Sequence, residues 1–225
     1  FCQNMNAYLD GAGNATIVAA DIDGGSFDNC GGVTLGASVT TFTCANQGPN
    51  NVTLTVTDGS GNTATCTSVV TVLDTISPVA FCQNMNAYLD GAGNATIVAA
   101  DIDGGSFDNC GTVTLSASST SFTCSNIGFN NVTLTATDAS GNSSTCTAVV
   151  TVLDTISPTA VCQNISAFLD GSGNTFITAG DLDGGSIDNC GAVTLSASST
   201  SFTCANLGAN SVTLTVTDGS GNSSS

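Results

Sequence analysis

The sequence predicts an all-β chain of three tandem β-sandwich modules, each of about 80 residues, the third lacking its last strand. Three observations carry this. Residues 1–31 return letter for letter at 81–111, and a variant of them follows at 161–191. The spacing is 80 residues each time, the size of a small domain rather than of a solenoid repeat. Within each copy, short runs rich in Val, Thr and Ile are separated by Gly, Asn, Asp and Ser, and no stretch shows a sustained helical period with capping signals.

The strands follow in order through the first copy as ATIVAADI (15–22), VTLGASV (33–39), TTFTC (40–44), NVTLTVTD (51–58) and TCTSVVTVL (65–73). NVTLTVTD alternates Val52, Leu54 and Val56 with Thr53, Thr55 and Thr57, so one face is buried and one is wet. About seven short strands per copy suit an immunoglobulin-like sandwich. The tryptophan of antibody domains is absent, so the likeness is architectural. The linkers LDTISPVA (73–80) and LDTISPTA (153–160) mark the joints, because proline after a polar turn resets the chain direction. The expected modules are 1–75, 76–155 and 156–225. In the third, a sheet edge lies bare. Two readings stand: a longer periodic array, or a strand donated by a neighbouring molecule.

Composition sets the chemistry. All 17 acidic residues are aspartate, with no Lys, Arg or His, giving a formal charge of −17. Such self-repulsion opposes compaction. It also argues against nucleic acid and anionic membranes as partners, since both need a basic surface. No apolar run reaches the length of a membrane span, so membrane insertion is not expected. A hydrophobic content of 41% supplies a core and argues against disorder. With no His, Lys, Arg or Glu for acid–base work, an enzyme is not expected.

Eleven cysteines point to an oxidising, extracellular setting. The absence of histidines and CxxC pairs argues against zinc. The favoured pairing joins first with fourth and second with third in each copy. That gives Cys2–Cys66 and Cys30–Cys44, then Cys82–Cys146 and Cys110–Cys124, then Cys190–Cys204, leaving Cys162 alone. Each bridge would contribute ~2–4 kcal/mol.

The segment DIDGGSFDNCG (21–31) concentrates carboxylates that the chain itself cannot neutralise. If the strands alternate between the two poles of a sandwich, this loop shares a pole with the TDGSGN turn (57–62). The preceding linker should arrive there too. Asp74 is thus expected beside Asp101, Asp103, Asp108 and Asp138, and Asp154 beside Asp181, Asp183, Asp188 and Asp218. Asp21, Asp23, Asp28 and Asp58 would form the same cup in the first copy. Ca2+ suits such cups, taking six to eight oxygens in loose geometry. Soft metals would want thiolate or imidazole. Asp10 in DGAGN is read as a turn residue only.

Sugar is a further prospect. Seven N-x-S/T triplets begin at Asn14, Asn51, Asn94, Asn131, Asn142, Asn164 and Asn222, but a chain this rich in Asn, Ser and Thr yields such triplets by chance. The DTI triplets resemble the Asp-Thr-apolar acceptor of a bacterial O-glycosylation system, placing glycan on Thr75 and Thr155.

The pattern CQN…LD…DIDGGSxDNCG…FTC…VTLTVTDxSGNxxTCxxxVTVLDTxxP resembles the HYR-like and immunoglobulin-like repeats of large secreted bacterial surface proteins, especially those of Bacteroidetes. The resemblance covers all three copies and implies export, tandem arrays and adhesive or structural roles, with no catalytic residue. The expectation is a calcium-stiffened, disulfide-stapled rod, stalk or filament whose partners are copies of itself through a repeated, non-closing contact. The alternative is a carbohydrate- or ice-binding module on the Thr53, Thr55, Thr57 row, with glycans as partners.

Overall fold

The computed structural model describes residues 1–225, and it contains β-strands and short 3-10 turns but no α-helix. The chain divides into two compact units. Residues 1–82, 103–117 and 133–147 form the first; residues 83–102, 118–132 and 148–225 form the second.

The first copy lies wholly in the first unit. Its strands are β1 (Met5–Tyr8), β2 (Asn14–Thr16), β3 (Thr34–Ala37), β4 (Thr41–Thr43), β5 (Gly48–Thr57) and β6 (Thr63–Leu73). Four of them form a sheet in the order β1-β6-β5-β3, and β2 pairs with β4 in a second, smaller sheet. β1 runs parallel to β6, whereas β5 pairs antiparallel with both β6 and β3. Alternation decides which side chains go in. Val52 and Leu54 of β5 and Val70 and Val72 of β6 are fully or almost fully buried, and they meet Phe42 and Ala15 of the small sheet. Burying such side chains contributes about 1.5–3 kcal/mol each.

The run 15–22 does not stay extended as its composition predicts. β2 stops at Thr16, and Ala19–Ile22 form a 3-10 turn. The cause is Asp21, whose carboxylate accepts the Val18 N–H at 2.8 Å and closes the turn. Ile22 is thereby swung into the core with no exposure.

The second copy repeats the pattern with β7 (Met85–Tyr88), β8 (Asn94–Thr96), β9 (Thr114–Ala117), β10 (Ser121–Thr123), β11 (Gly128–Thr137) and β12 (Ser143–Leu153). In the first unit β9 pairs antiparallel with residues 134–137. In the second, β7 pairs parallel with residues 150–153 and β8 antiparallel with β10. The third copy contributes β13 (Asn174–Phe176), β14 (Thr194–Ala197), β15 (Ser201–Thr203), β16 (Leu214–Thr217) and β17 (Ser223–Ser224). It has no counterpart of β6 beyond the two residues of β17, which pair with β16. The stretch equivalent to β1 is accordingly not a strand, and Phe168 is 84% exposed. Its core reduces to Ile177, Leu182, Leu214 and Val216 with partly buried neighbours.

Four disulfides are present. Cys2 bonds Cys66 and Cys82 bonds Cys146, each within one copy. The second type corrects the sequence expectation. Cys44 bonds Cys110 and Cys124 bonds Cys190, so these bridges join one copy to the next instead of pairing Cys30 with Cys44, Cys110 with Cys124 or Cys190 with Cys204. The physical reason is polarity along the module. Cys44 sits at the end where the next copy begins, its Sγ 3.5 Å from the Asn109 carbonyl. Cys30 lies on the loop at the other end. Cys30, Cys162 and Cys204 are free and exposed, so Cys162 is not the single unpaired thiol.

Candidate metal centre

The linker after β6 places the first ligand. Asp74 is 7% exposed, and its Oδ1 accepts the N–H of Ile76 at 3.2 Å. Pro78 is buried beyond it. Val79 then bridges to Phe107, donating at 2.8 Å and accepting at 3.1 Å. This two-bond hook fixes the linker against the loop 103–111 of the second copy. The ring of Phe81 stacks beside that of Phe107 with centroids 6.2 Å apart.

Two further carboxylates converge there. Asp138 directly follows β11 and is 7% exposed. Its Oδ1 accepts the Asn142 N–H at 2.8 Å and its Oδ2 accepts Asn142 Nδ2 at 2.7 Å. The same Nδ2 donates to the Asp74 carbonyl at 3.1 Å, tying the turn to the linker. Asp108 accepts the Cys110 N–H on Oδ2 at 2.8 Å, while its buried Oδ1 has no partner. One oxygen from each of Asp74, Asp108 and Asp138 lies within 4.8 Å of the others. Asp154, Asp188 and Asp218 repeat the arrangement at the next junction.

Electrostatics makes these triads costly as they stand. Two unit charges 4.8 Å apart repel by roughly 3.5 kcal/mol at an effective dielectric constant of ~20. The chain has no basic side chain to offset this. Burial pushes the Asp218 carboxyl up, but hydrogen bonds from the Asn222 side chain and backbone outweigh it, and the group lies below its usual range. It therefore keeps its charge at neutral pH. Orphaned acceptors accompany the triads: the buried Oδ1 of Asn109 and of Asn189, and Oδ2 of Asp154, which is 6% exposed as a residue. Buried acceptors without donors are rare in folded proteins and call for a positive partner. Carboxylate and amide oxygens are a donor set for a hard cation. Ligands about 2.4 Å from a shared calcium lie at most ~4.8 Å apart, so the separation fits.

The junction is also closed covalently and by hydrogen bonds. Asn109 Nδ2 donates to the Asp10 carbonyl at 3.2 Å and to Asp74 Oδ1 at 3.4 Å. Gly13 adopts φ +75°, and a Cβ there would lie 2.5 Å from Cys44 Sγ and 3.0 Å from the Asn109 carbonyl. Only glycine permits that approach. Asp10 spends its carboxylate on its own turn, accepting the amides of Ala12 and Asn14 at 2.9 Å.

Several expected ligands do not join. Asp101 is exposed and accepts the Val98 N–H at 2.7 Å; Asp181 does the same for Thr178, and Asp21 for Val18. Asp103 accepts Ser106 N at 2.9 Å and Ser106 Oγ at 2.5 Å. Asp23 and Asp183 hold Ser26 and Ser186 in the same way. The serine hydroxyl is the chief cause that holds Asp23, Asp103 and Asp183 below the usual carboxylate range. These residues shape the loop; the triads exclude them. In the first copy Asp28 and Asp58 belong to no triad either, and Asp58 is held low chiefly by the Asn62 side chain. The Thr53, Thr55 and Thr57 row is half-buried. Thr75 and Thr155 are exposed, next to buried Asp74 and Asp154. The roles of Asn142 and of the junction disulfides were not foreseen. Their only signal in the sequence is that one cysteine per copy sits beside the aspartates and another follows the small-sheet strand.

Residues 73–152 match the HYR domain family. No curated protein matches the sequence. Among solved structures, extracellular cadherin domains 1–4 of protocadherin gamma B7 are similar at 14% identity and a TM-score of 0.33, over 88% of this chain and 62% of that one. The chain thus spans less than two thirds of that fragment's length. Human CDH23 EC21–23 matches at 12% identity and a TM-score of 0.37, over 77% of this chain and 71% of that one. Titin domains I67–I69 match at 9% identity and a TM-score of 0.38, over 99% and 93% respectively.

Proposed function

We propose that this chain is a stretch of an extracellular rod, stalk or filament whose successive modules, divided near residues 75 and 155, are locked in line by calcium and by disulfides. The observation that carries the reading is the junction itself. A buried triad of carboxylates from the linker, a loop and a turn sits beside a bridge such as Cys44–Cys110. Calcium bound there ties Asp74 of the linker to Asp108 and Asp138 of the following copy, and so resists bending. The bond between copies resists their separation. Each of these bridges spans 66 residues of sequence, and a loop of that length implies about 4 kcal/mol of constraint on the unfolded chain. Four disulfides suit an oxidising, extracellular location. The exposed hydroxyls of Thr75 and Thr155 are where a glycan would shield the linkers.

Electron microscopy of the native material, with and without EDTA, tests this. Straight particles that become flexible on chelation, and more flexible still when a reductant is added, fit the reading. Particles equally straight without divalent ions contradict the part assigned to calcium.

A further inference from the structure

We propose that the junction disulfides are redox switches on the ion sites. With Cys44–Cys110 intact, the site at Asp74, Asp108 and Asp138 binds calcium tightly; with the bond reduced, it binds weakly. Cys124–Cys190 governs Asp154, Asp188 and Asp218 in the same way. This rests on the reading of the triads as calcium sites and adds what regulates them.

Asn109 couples bond and site. Its Nδ2 donates to Asp74 Oδ1 at 3.4 Å and to Cys110 Sγ at 3.4 Å, and its backbone carbonyl lies 3.5 Å from Cys44 Sγ. One residue thus touches a triad carboxylate and both sulfurs of the bond. Asp108 precedes it, and Cys110, which follows it, donates its N–H to Asp108 Oδ2 at 2.8 Å. A triad ligand, the coupling amide and a bonded sulfur are therefore consecutive residues of one loop. The second junction repeats each contact. Asn189 Nδ2 donates to Asp154 Oδ1 at 3.4 Å and to Cys190 Sγ at 3.5 Å, and its carbonyl lies 3.5 Å from Cys124 Sγ. The Cys190 N–H reaches Asp188 Oδ2 at 2.8 Å. Asp154, only 6% exposed, keeps its buried Oδ2 without a partner.

The energetic link is shared closure. The bond joins Cys44 of one copy to Cys110 of the next, and the ion joins Asp74, at the end of the first copy, to Asp108 and Asp138 of the next. Both close the same joint. Whichever forms first removes conformational freedom that the other need not then lose. Such coupling is reciprocal: a bond that tightens ion binding is made harder to reduce by the ion, by the same factor. Cys2–Cys66 lies within one copy and does not cross that joint. Its sequence separation is 64 against 66 for Cys44–Cys110, so it matches the junction bond as a constraint on the unfolded chain.

Reduction by a dithiol takes two steps. One reductant thiolate attacks a junction sulfur, forming a mixed disulfide and releasing the other cysteine as thiolate. The second reductant thiolate then displaces the first sulfur. Two electrons pass to the two cysteines, which take up two protons, and the reductant leaves as its cyclic disulfide.

Calorimetric titration of the 225-residue protein with calcium tests the switch. The oxidised protein should show both sites. Cys44→Ser combined with Cys110→Ser should weaken one site at least ~10-fold and leave the other unchanged. Cys2→Ser combined with Cys66→Ser should leave both unchanged, although it removes a constraint of similar size. The reciprocal measurement needs no variant. The wild-type protein is equilibrated in dithiol buffers of graded potential, its free thiols are trapped, and each cysteine is quantified by mass spectrometry. Calcium should make the midpoints of Cys44–Cys110 and Cys124–Cys190 more negative, by about 30 mV for each tenfold of coupling. The midpoint of Cys2–Cys66 should stay in place. Equal calcium affinity with and without the junction bond, or junction midpoints indifferent to calcium, overturns the switch while the calcium sites stand. Equal weakening on loss of Cys2–Cys66 also overturns it, because general loosening then explains the effect. No binding by the oxidised protein defeats the calcium reading and the switch together.

Discussion

The loop 21–31 and the loop 101–111 have identical sequences and end in different states. At the first, Asn29 and Cys30 are exposed, the thiol is free, and Asp58 of the neighbouring turn is half-buried. At the second, Asn109 and Cys110 are partly buried, the sulfur is bonded to Cys44, and Asp138 is 7% exposed. Phe27 is 78% exposed where Phe107, hooked to Val79, is 55% exposed. The preceding linker and the Gly13 and Cys44 turns reach the second loop alone. The candidate ion site is thus a property of the junction and not of the acidic loop, although the loop carries most of the charge.

Breaking the junction bond should give the largest contrast. Cys110→Ser should destabilise the protein by up to about 4 kcal/mol, because a long loop loses its constraint, whereas Cys30→Ser should leave stability unchanged. Denaturant unfolding without reductant reads both. Next comes the ion. Asp138→Asn should weaken calcium binding at least ~10-fold, about 1.4 kcal/mol, and Asp58→Asn should not alter it; calorimetric titration separates them. Gly13→Ala forces a Cβ against Cys44 Sγ and the Asn109 carbonyl at positive φ. It should cost roughly 1–3 kcal/mol. Gly173→Ala meets only Cys204 Sγ and should cost less, by thermal melting.

The smallest effect should show no contrast between the two loops. Asp23 and Asp103 are both lowered from an ordinary value of 3.8 by their serine partners. A lowered folded value means that their contribution is complete above about pH 4 and is lost as the pH falls through the folded value. Loosening of the Ser26 and Ser106 amides, followed by hydrogen exchange, should therefore track acid equally in both loops. Ser106→Ala should remove the pH dependence at the second loop alone.

Much of the fold was legible because alternation reports burial directly. NVTLTVTD became the core of β5, and TCTSVVTVL lies within β6. The run 15–22 misled because its apolar content hid a local competitor, the Asp21 carboxylate that captures the Val18 amide. The same competition explains the site. Asp101 and Asp103 have the i, i+2 spacing of paired ligands, yet backbone and serine donors within three residues claim them before any ion could. Asp74, Asp108 and Asp138 meet where the order of strands across the poles places them. The disulfides were harder. In an array of period 80, a cysteine sees the same partner types in its own copy and in the next, so spacing alone cannot choose. The choice is made by which end of the module each sulfur occupies.

Junctions, and not acidic loops, create the candidate ion sites. A structure determined from crystals grown in calcium tests this directly, read by anomalous scattering. One ion is expected among Asp74, Asp108 and Asp138, one among Asp154, Asp188 and Asp218, and none at Asp21, Asp23 and Asp28. An ion in that first loop, or both triads without one, would contradict this.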